Sequence, residues 1–138
     1  QAARSGKQNI IEGKEAARTS YETLLKLVNV ARSSLQELLA DYEDYLRVRQ
    51  LRQWDKGSKE VAAMRKLGIE HRDSAFFLSL AETRSDEVVA NMVIVLICQA
   101  DVLLDRYLHK QEEKFVKEGG YREKLTRERV AYRQNCGK

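Results

Sequence analysis

The chain has 138 residues, 43% hydrophobic and 33% charged, with a formal net charge of +4 and no proline. A single domain of this length hides roughly two thirds of its unfolded surface, so it needs no metal or disulfide to hold it. The two cysteines, Cys98 in an apolar run and Cys136 in the tail, have neither metal-ligand nor disulfide-framework spacing, which makes a reducing cytoplasm the expected location. The longest apolar run, 92–98, is seven residues against the roughly 20 of a membrane span, so no membrane partner is expected.

Residues 1–13 read as the second half of a helix, because Ala2, Ala3 and Arg4 suit a helix interior and Ile10 and Ile11 complete a small apolar face. Gly13 predicts a stop before the connection 14–18. A seven-residue repeat then organises 19–49. Tyr21, Val28, Leu35 and Tyr42 form one line, Leu24, Ala31, Leu38 and Tyr45 a second, and Leu25, Leu39 and Leu46 a third that Arg32 interrupts. Three apolar positions in seven give a stripe wide enough for the core of a helix bundle. Thr19 and Glu22 have the spacing of a capping box at its start, and Arg47 and Arg49 suit the negative pole at its end.

Asp55, Lys56, Gly57 and Ser58 predict a turn with Trp54 at its corner. Ser58 then caps a short helix over 59–67 that ends at Gly68, and a second short helix over 73–82 offers Phe76, Phe77 and Leu80 as a lid. Ser85 opens the second long helix, with Asp86 and Glu87 in its first turn, running to 118 and closing at Gly119 and Gly120. Between Val88 and Ala100 the apolar residues point around nearly the whole circumference, which favours burial against other subunits and hence a homo-oligomer. The alternative is that the short helices around Phe76 cover the second face. Residues 121–134 read as a short basic helix anchored by Leu125 and Val130, with 135–138 fraying.

Particular motifs carry a resemblance. Asn9-Ile10-Ile11-Glu12-Gly13, the Thr19-Ser20 pair and Ser34-Leu35-Gln36-Glu37-Leu38 resemble the bacterial four-helix-bundle proteins encoded in 23S rRNA intervening sequences, with Ile11 in place of the usual alanine. Leu103-Leu104-Asp105-Arg106, Glu112-Glu113-Lys114-Phe115 and Glu118-Gly119-Gly120-Tyr121 are similar to the variant with a C-terminal suffix helix. The resemblance implies an all-α, up-down antiparallel four-helix bundle, lacking its first helix in the sequence given, with a short helical excursion and a suffix helix. It divides the chain into a bundle over 1–119 and a basic suffix helix and tail over 120–138. It also implies a homopentameric ring, and likeness in fold to the accessory variability protein of diversity-generating retroelements, which engages nucleic acid and a reverse transcriptase. It supplies no catalytic residue.

The residues themselves point away from an enzyme: no metalloprotease, di-iron, phosphate-loop or nucleophile-elbow motif is present, and no cofactor or metal is expected. Asp105 and His109 are four apart on one helix, which fits an ion pair better than a metal edge. His71 reads as a loop histidine. Glu12, Glu37 and Asp105 are acids that Arg4, Arg32 and Arg106 pair with in the interface-fixing reading. Arg32 stands where leucine is expected, so it either snorkels to the rim or meets an acid at a subunit contact. Charge is skewed: 19 basic and 19 acidic residues precede Gly120, and six basic against two acidic follow. The nucleic-acid candidates are therefore Arg122, Lys124, Arg127, Arg129 and Arg133, with Tyr121 and Tyr132 as stacking surfaces, joined by Arg47, Arg49 and Arg52. The expected function is an oligomeric accessory protein that binds RNA or DNA without sequence preference, beside a nucleic-acid-processing partner. Two alternatives stay open: the tail is merely solvated, or the chain is a protein–protein scaffold assembled through the apolar helix 85–118.

Overall fold

The computed structural model describes residues 2–136, and their side chains except at 2–11, 14 and 119–126. The described residues are all-helical: α1 (Ala2–Val48), α2 (Lys59–Glu70), α3 (Ser74–Glu82) and α4 (Asp86–Cys136). The long helices pass through every stop that the glycines predict. α1 runs through Gly13 and Thr19, and α4 through Gly119 and Gly120 to Cys136. A glycine costs an exposed helix about 1 kcal/mol, too little to end one that neighbouring turns and tertiary packing sustain. Because Thr19 is preceded by helix, no orphan N–H groups follow it and no capping box forms; its carbonyl instead accepts from the Thr23 hydroxyl at 2.9 Å.

α1 ends in a Schellman motif. Gln50 takes the left-handed conformation at φ 55°, its N–H reaches the Arg47 carbonyl at 3.1 Å, and the Leu51 N–H reaches the Leu46 carbonyl at 2.9 Å. The accompanying apolar contact is present, since Leu51 packs on the cluster built around Leu46. Ser58 caps α2 by accepting from Val61 N at 3.3 Å, and Asp73 caps α3 by accepting from Ala75 N at 3.0 Å. α2 continues beyond Gly68 to Glu70. Gly68 serves close approach there: a Cβ would run into the side-chain amide of Gln99 on α4, which donates to the Arg65 carbonyl at 2.9 Å.

The chain forms two compact units, Asn29–Asp105 and Gln1–Val28 with Arg106–Lys138. Within the first, α1 and α4 run antiparallel, with Leu46 beside Ala90 and Ile94 and, further along, Arg32 beside Asp101. The opposite face of α4 supplies Met92 and Val95, which join Val61 and Met64 of α2 beneath Trp54, Leu67, Phe77 and Leu80. Here the structure follows the second of the two sequence readings, in which the short helices cover the second face of α4. Met92, Ile94, Val95 and Ile97 are buried and Val93 and Leu96 half-buried within one chain, leaving Cys98 exposed. The two short helices and α1 take opposite sides of α4, so its greasy circumference calls for no second subunit at this point. Within the other unit, Tyr21 of α1 stacks on Phe115 of α4 with centroids 4.9 Å apart and planes 9° from parallel.

The segment Asp86–Glu118 is nonetheless long and apolar enough, by length and composition, to cross a membrane; its most apolar 18 residues have mean hydropathy 2.0 and a third of them are buried in the protein. Its polar residues are used as those of a packed helix are: Asn91, Gln99, Asp101 and Asp105 all bond to α1, α2 or the loop between them.

Asn91 is the tightest of these, 1% exposed. Its amide nitrogen donates to the carbonyls of Arg52 and Glu87, both at 2.8 Å, and its oxygen accepts from Trp54 N at 2.8 Å. Glu87 adds a carboxylate oxygen 2.6 Å from Arg52 N. The strand-free loop after α1 thereby has its polar backbone satisfied by side chains of α4. Asn91→Ala leaves the Trp54 N–H and the Arg52 carbonyl without these partners, and a loss of about 3 kcal/mol in urea unfolding is expected, with the helix content of the folded protein unchanged.

Candidate functional site

Three surfaces of the described residues hold the chemistry. The first is a charged cluster on the inner edge of the antiparallel pair in the unit 29–105. Arg32 Nε donates to Asp101 Oδ1 at 2.9 Å, Nη2 to Asp101 Oδ2 at 3.3 Å and Nη1 to Asp105 Oδ1 at 2.9 Å. Asp101 and Asp105 are one turn apart on α4, so a planar guanidinium with five donors is the side chain that can hold both. The side chains are 32%, 20% and 42% exposed for Arg32, Asp101 and Asp105. Arg32 therefore neither snorkels freely nor waits for another subunit. It is paired in its own chain, and the bond to Asp101 is the main cause of its raised pKa. The same bond is the largest influence holding the Asp101 carboxyl below its ordinary value, with Gln36 contributing. Asn29, Ser33 and Gln36 line the open side of this cleft.

The second surface is the end of α1. Arg47, Arg49 and Arg52 are exposed, but each is engaged. Arg47 pairs with Asp44 at 2.8 Å, Arg49 lies 3.8 Å over the Tyr45 ring, and Arg52 reaches Glu60 at 3.3 Å. Glu60 sits in the first turn of α2, where its own backbone N–H, more than Arg52, lowers its pKa. Beside these arginines, Tyr42, Tyr45, Val89 and Ala90 floor a groove of about 380 Å³ edged by Asp41 and Asp86, with the Tyr45 hydroxyl donating to Asp86 at 3.3 Å.

The third surface is the end of α4. Arg127, Arg129 and Arg133 are exposed on continuous helix, as is Tyr132 at 71%. Arg122 and Lys124, with Tyr121 and Leu125, fall outside the described side chains, as does Arg4. The basic candidates thus divide between the two compact units: Arg47, Arg49 and Arg52 in one, Arg127, Arg129 and Arg133 in the other. Among the described residues no group of three or more His, Cys, Asp or Glu is placed to hold a metal ion. His71 stacks on Phe76 with centroids 3.7 Å apart, a packing role at the junction of α2 and α3.

Sequence reasoning missed Asn91, Gln99 and the Asp101 half of the cluster. An amide inside an apolar helical run was the available signal for Asn91, since such a residue must find buried partners. The spacing of Asp101 and Asp105 opposite an arginine in a leucine position was the signal for the cluster. Comparison of the chain with family models, with curated proteins and with solved structures finds no match.

The cluster makes an acid-stability test. The folded-state pKa of Asp101 is depressed, so its contribution is fully present above the ordinary carboxylate range and is lost as the pH falls below about 4. Chemical denaturation at a series of pH values should give an Asp101→Asn variant that is less stable than the parent at pH 7, with the gap narrowing as the pH drops through that range. A gap that stays constant with pH would remove the charge-pair account.

Proposed function

We propose that this is a non-enzymatic helical-bundle protein of the 23S rRNA intervening-sequence type, working in the cytoplasm as a homo-oligomer, a pentameric ring by that resemblance. The observation that carries the assembly is a line of exposed apolar residues on α1. Within the unit 29–105, Val30, Ala31 and Leu38 fall on one side of the helix, and Leu27 precedes them; Val30 is 65% and Leu27 64% exposed. Such a line is the seam by which helices join, and it lies apart from the segment 92–98 that its own chain covers. On α4 the exposed Val102, Leu103 and Val116 add apolar surface of the same kind. Light scattering coupled to size exclusion should give a mass that is a multiple of 16.0 kDa, and Leu27→Glu with Val30→Glu should shift it toward the single chain while leaving the far-UV spectrum unchanged. A single-chain mass at every concentration overturns the reading.

A second reading, nonspecific RNA or DNA binding as an accessory to a nucleic-acid-processing partner, is favoured by the exposed arginines near the end of α4. Arg127, Arg129 and Arg133 present charge on both sides of Tyr132, an arrangement suited to phosphates and one stacked base. Arg47 and Arg52 are already paired with acids and make weaker candidates. In a mobility-shift titration, replacing Arg129 and Arg133 by alanine should weaken binding more than replacing Arg47 and Arg52, and should lower the salt slope by about two. Absent binding, or binding indifferent to salt, ends this reading.

A further inference from the structure

The groove beside the end of α1 has an apolar floor and acidic edges, and the chain carries a segment of the opposite character. Tyr42, Tyr45, Val89 and Ala90 form the floor, and the carboxylates of Asp41 and Asp86 stand at its sides. No ion pair among the described residues engages Asp41, and Asp86 accepts a long bond from the Tyr45 hydroxyl. Aromatic walls with carboxylates at the rim are suited to a cation carried on an apolar or aromatic body. The volume, about 380 Å³, is at the small end of ligand sites and enough for a single aromatic side chain.

On the last turns of α4, Arg129, Tyr132, Arg133 and Cys136 follow the spacing i, i+3, i+4, i+7, which puts them within an arc of about 100°. Tyr132 is 71% exposed and both arginines are exposed. One face therefore offers an aromatic ring flanked by two guanidinium groups on its one side, a complement to a tyrosine-floored groove edged by carboxylates. The whole positive excess of the chain lies after Gly119, while the residues before it balance at 19 and 19. Asp86 is in the first turn of α4 and Arg133 in its last, about thirteen turns on along one continuous helix, so the complement comes from another molecule.

We infer that the end of α4 of a second copy docks in this groove, Tyr132 entering between Tyr42 and Tyr45 while Arg129 and Arg133 meet Asp41 and Asp86. The contact is heterologous, the donor segment and the acceptor groove being different surfaces of the same chain, and such contacts close into rings when the rotation permits. It rests on the assembly reading and names one of its interfaces. The nucleic-acid reading uses the same arginines, so the two are rivals for that face.

The test uses full-length protein. Sedimentation equilibrium on the parent, on Asp41→Lys and on Arg129→Glu/Arg133→Glu should give association weakened about tenfold or more in each variant, because each sets like charges against one another. Mixing the two variants, each with a different tag, should restore association through the pairing of a reversed groove with a reversed segment, read as co-purification of the two tags. Circular dichroism guards against misfolding: Asp41 and both arginines are exposed, so helix content should hold. Variants that assemble like the parent, or a mixture that fails to recover, overturn the docking while leaving assembly itself standing. A parent that is a single chain throughout overturns both.

Discussion

The loop that follows α1 is held by one buried amide. Asn91 closes three hydrogen bonds on Arg52, Trp54 and Glu87, and Glu87 closes another on Arg52, so the exit from α1 is stitched to the first turns of α4. That stitch settles where Trp54 sits. Trp54 in turn lies on the cluster of Val61, Met64, Met92 and Val95, which positions α2 and α3. A buried asparagine with every polar atom engaged is costly to move, because each shifted neighbour strands a donor or acceptor in a dry environment. Apolar packing on the two faces of α4 is tolerant by comparison, since one aliphatic contact replaces another at small cost.

The helical class was legible because periodicity is a property of the chain. The lines through Val28, Leu39, Tyr42 and Leu46 do face the interior, and Ser58 and Ser85 do cap the helices that follow them. Helix ends were legible where a side chain makes the boundary, and failed where a glycine was taken to make one. Gly13, Gly68 and Gly119 all lie inside helices. At Gly68 the reason is tertiary, since Gln99 occupies the space where a Cβ would stand, and no local pattern reports that. Gln50, carrying the left-handed residue that usually calls for glycine, gave no warning in the sequence at all.

Coverage of a helix is likewise a tertiary matter. Seven apolar residues in a row at 92–98 describe a helix buried all round, but not whose atoms bury it. The answer here is α1 on one side and the two short helices on the other. The uncovered apolar surface sits instead on stretches that look ordinary as sequence, such as Leu27 and Val30, where an amphipathic repeat offers one more line than a single neighbour can cover. Of the candidate basic residues, the sequence gives identity and count but not engagement, and engagement separates Arg47 and Arg52 from Arg129 and Arg133.

Arg32 stands against two carboxylates spaced by one helical turn. If α4 slid along α1 by that turn, about 5.4 Å, the guanidinium would exchange one acid for the other and never be left alone in a half-dry cleft. The trio is thus a detent with more than one notch, lenient toward axial slippage. The amide at position 91, whose partners lie at a single spot on the loop, has no second resting place. Breathing of the helix pair should begin at the charged end and stall at the amide, a mechanical polarity written into two kinds of polar contact on the same rod.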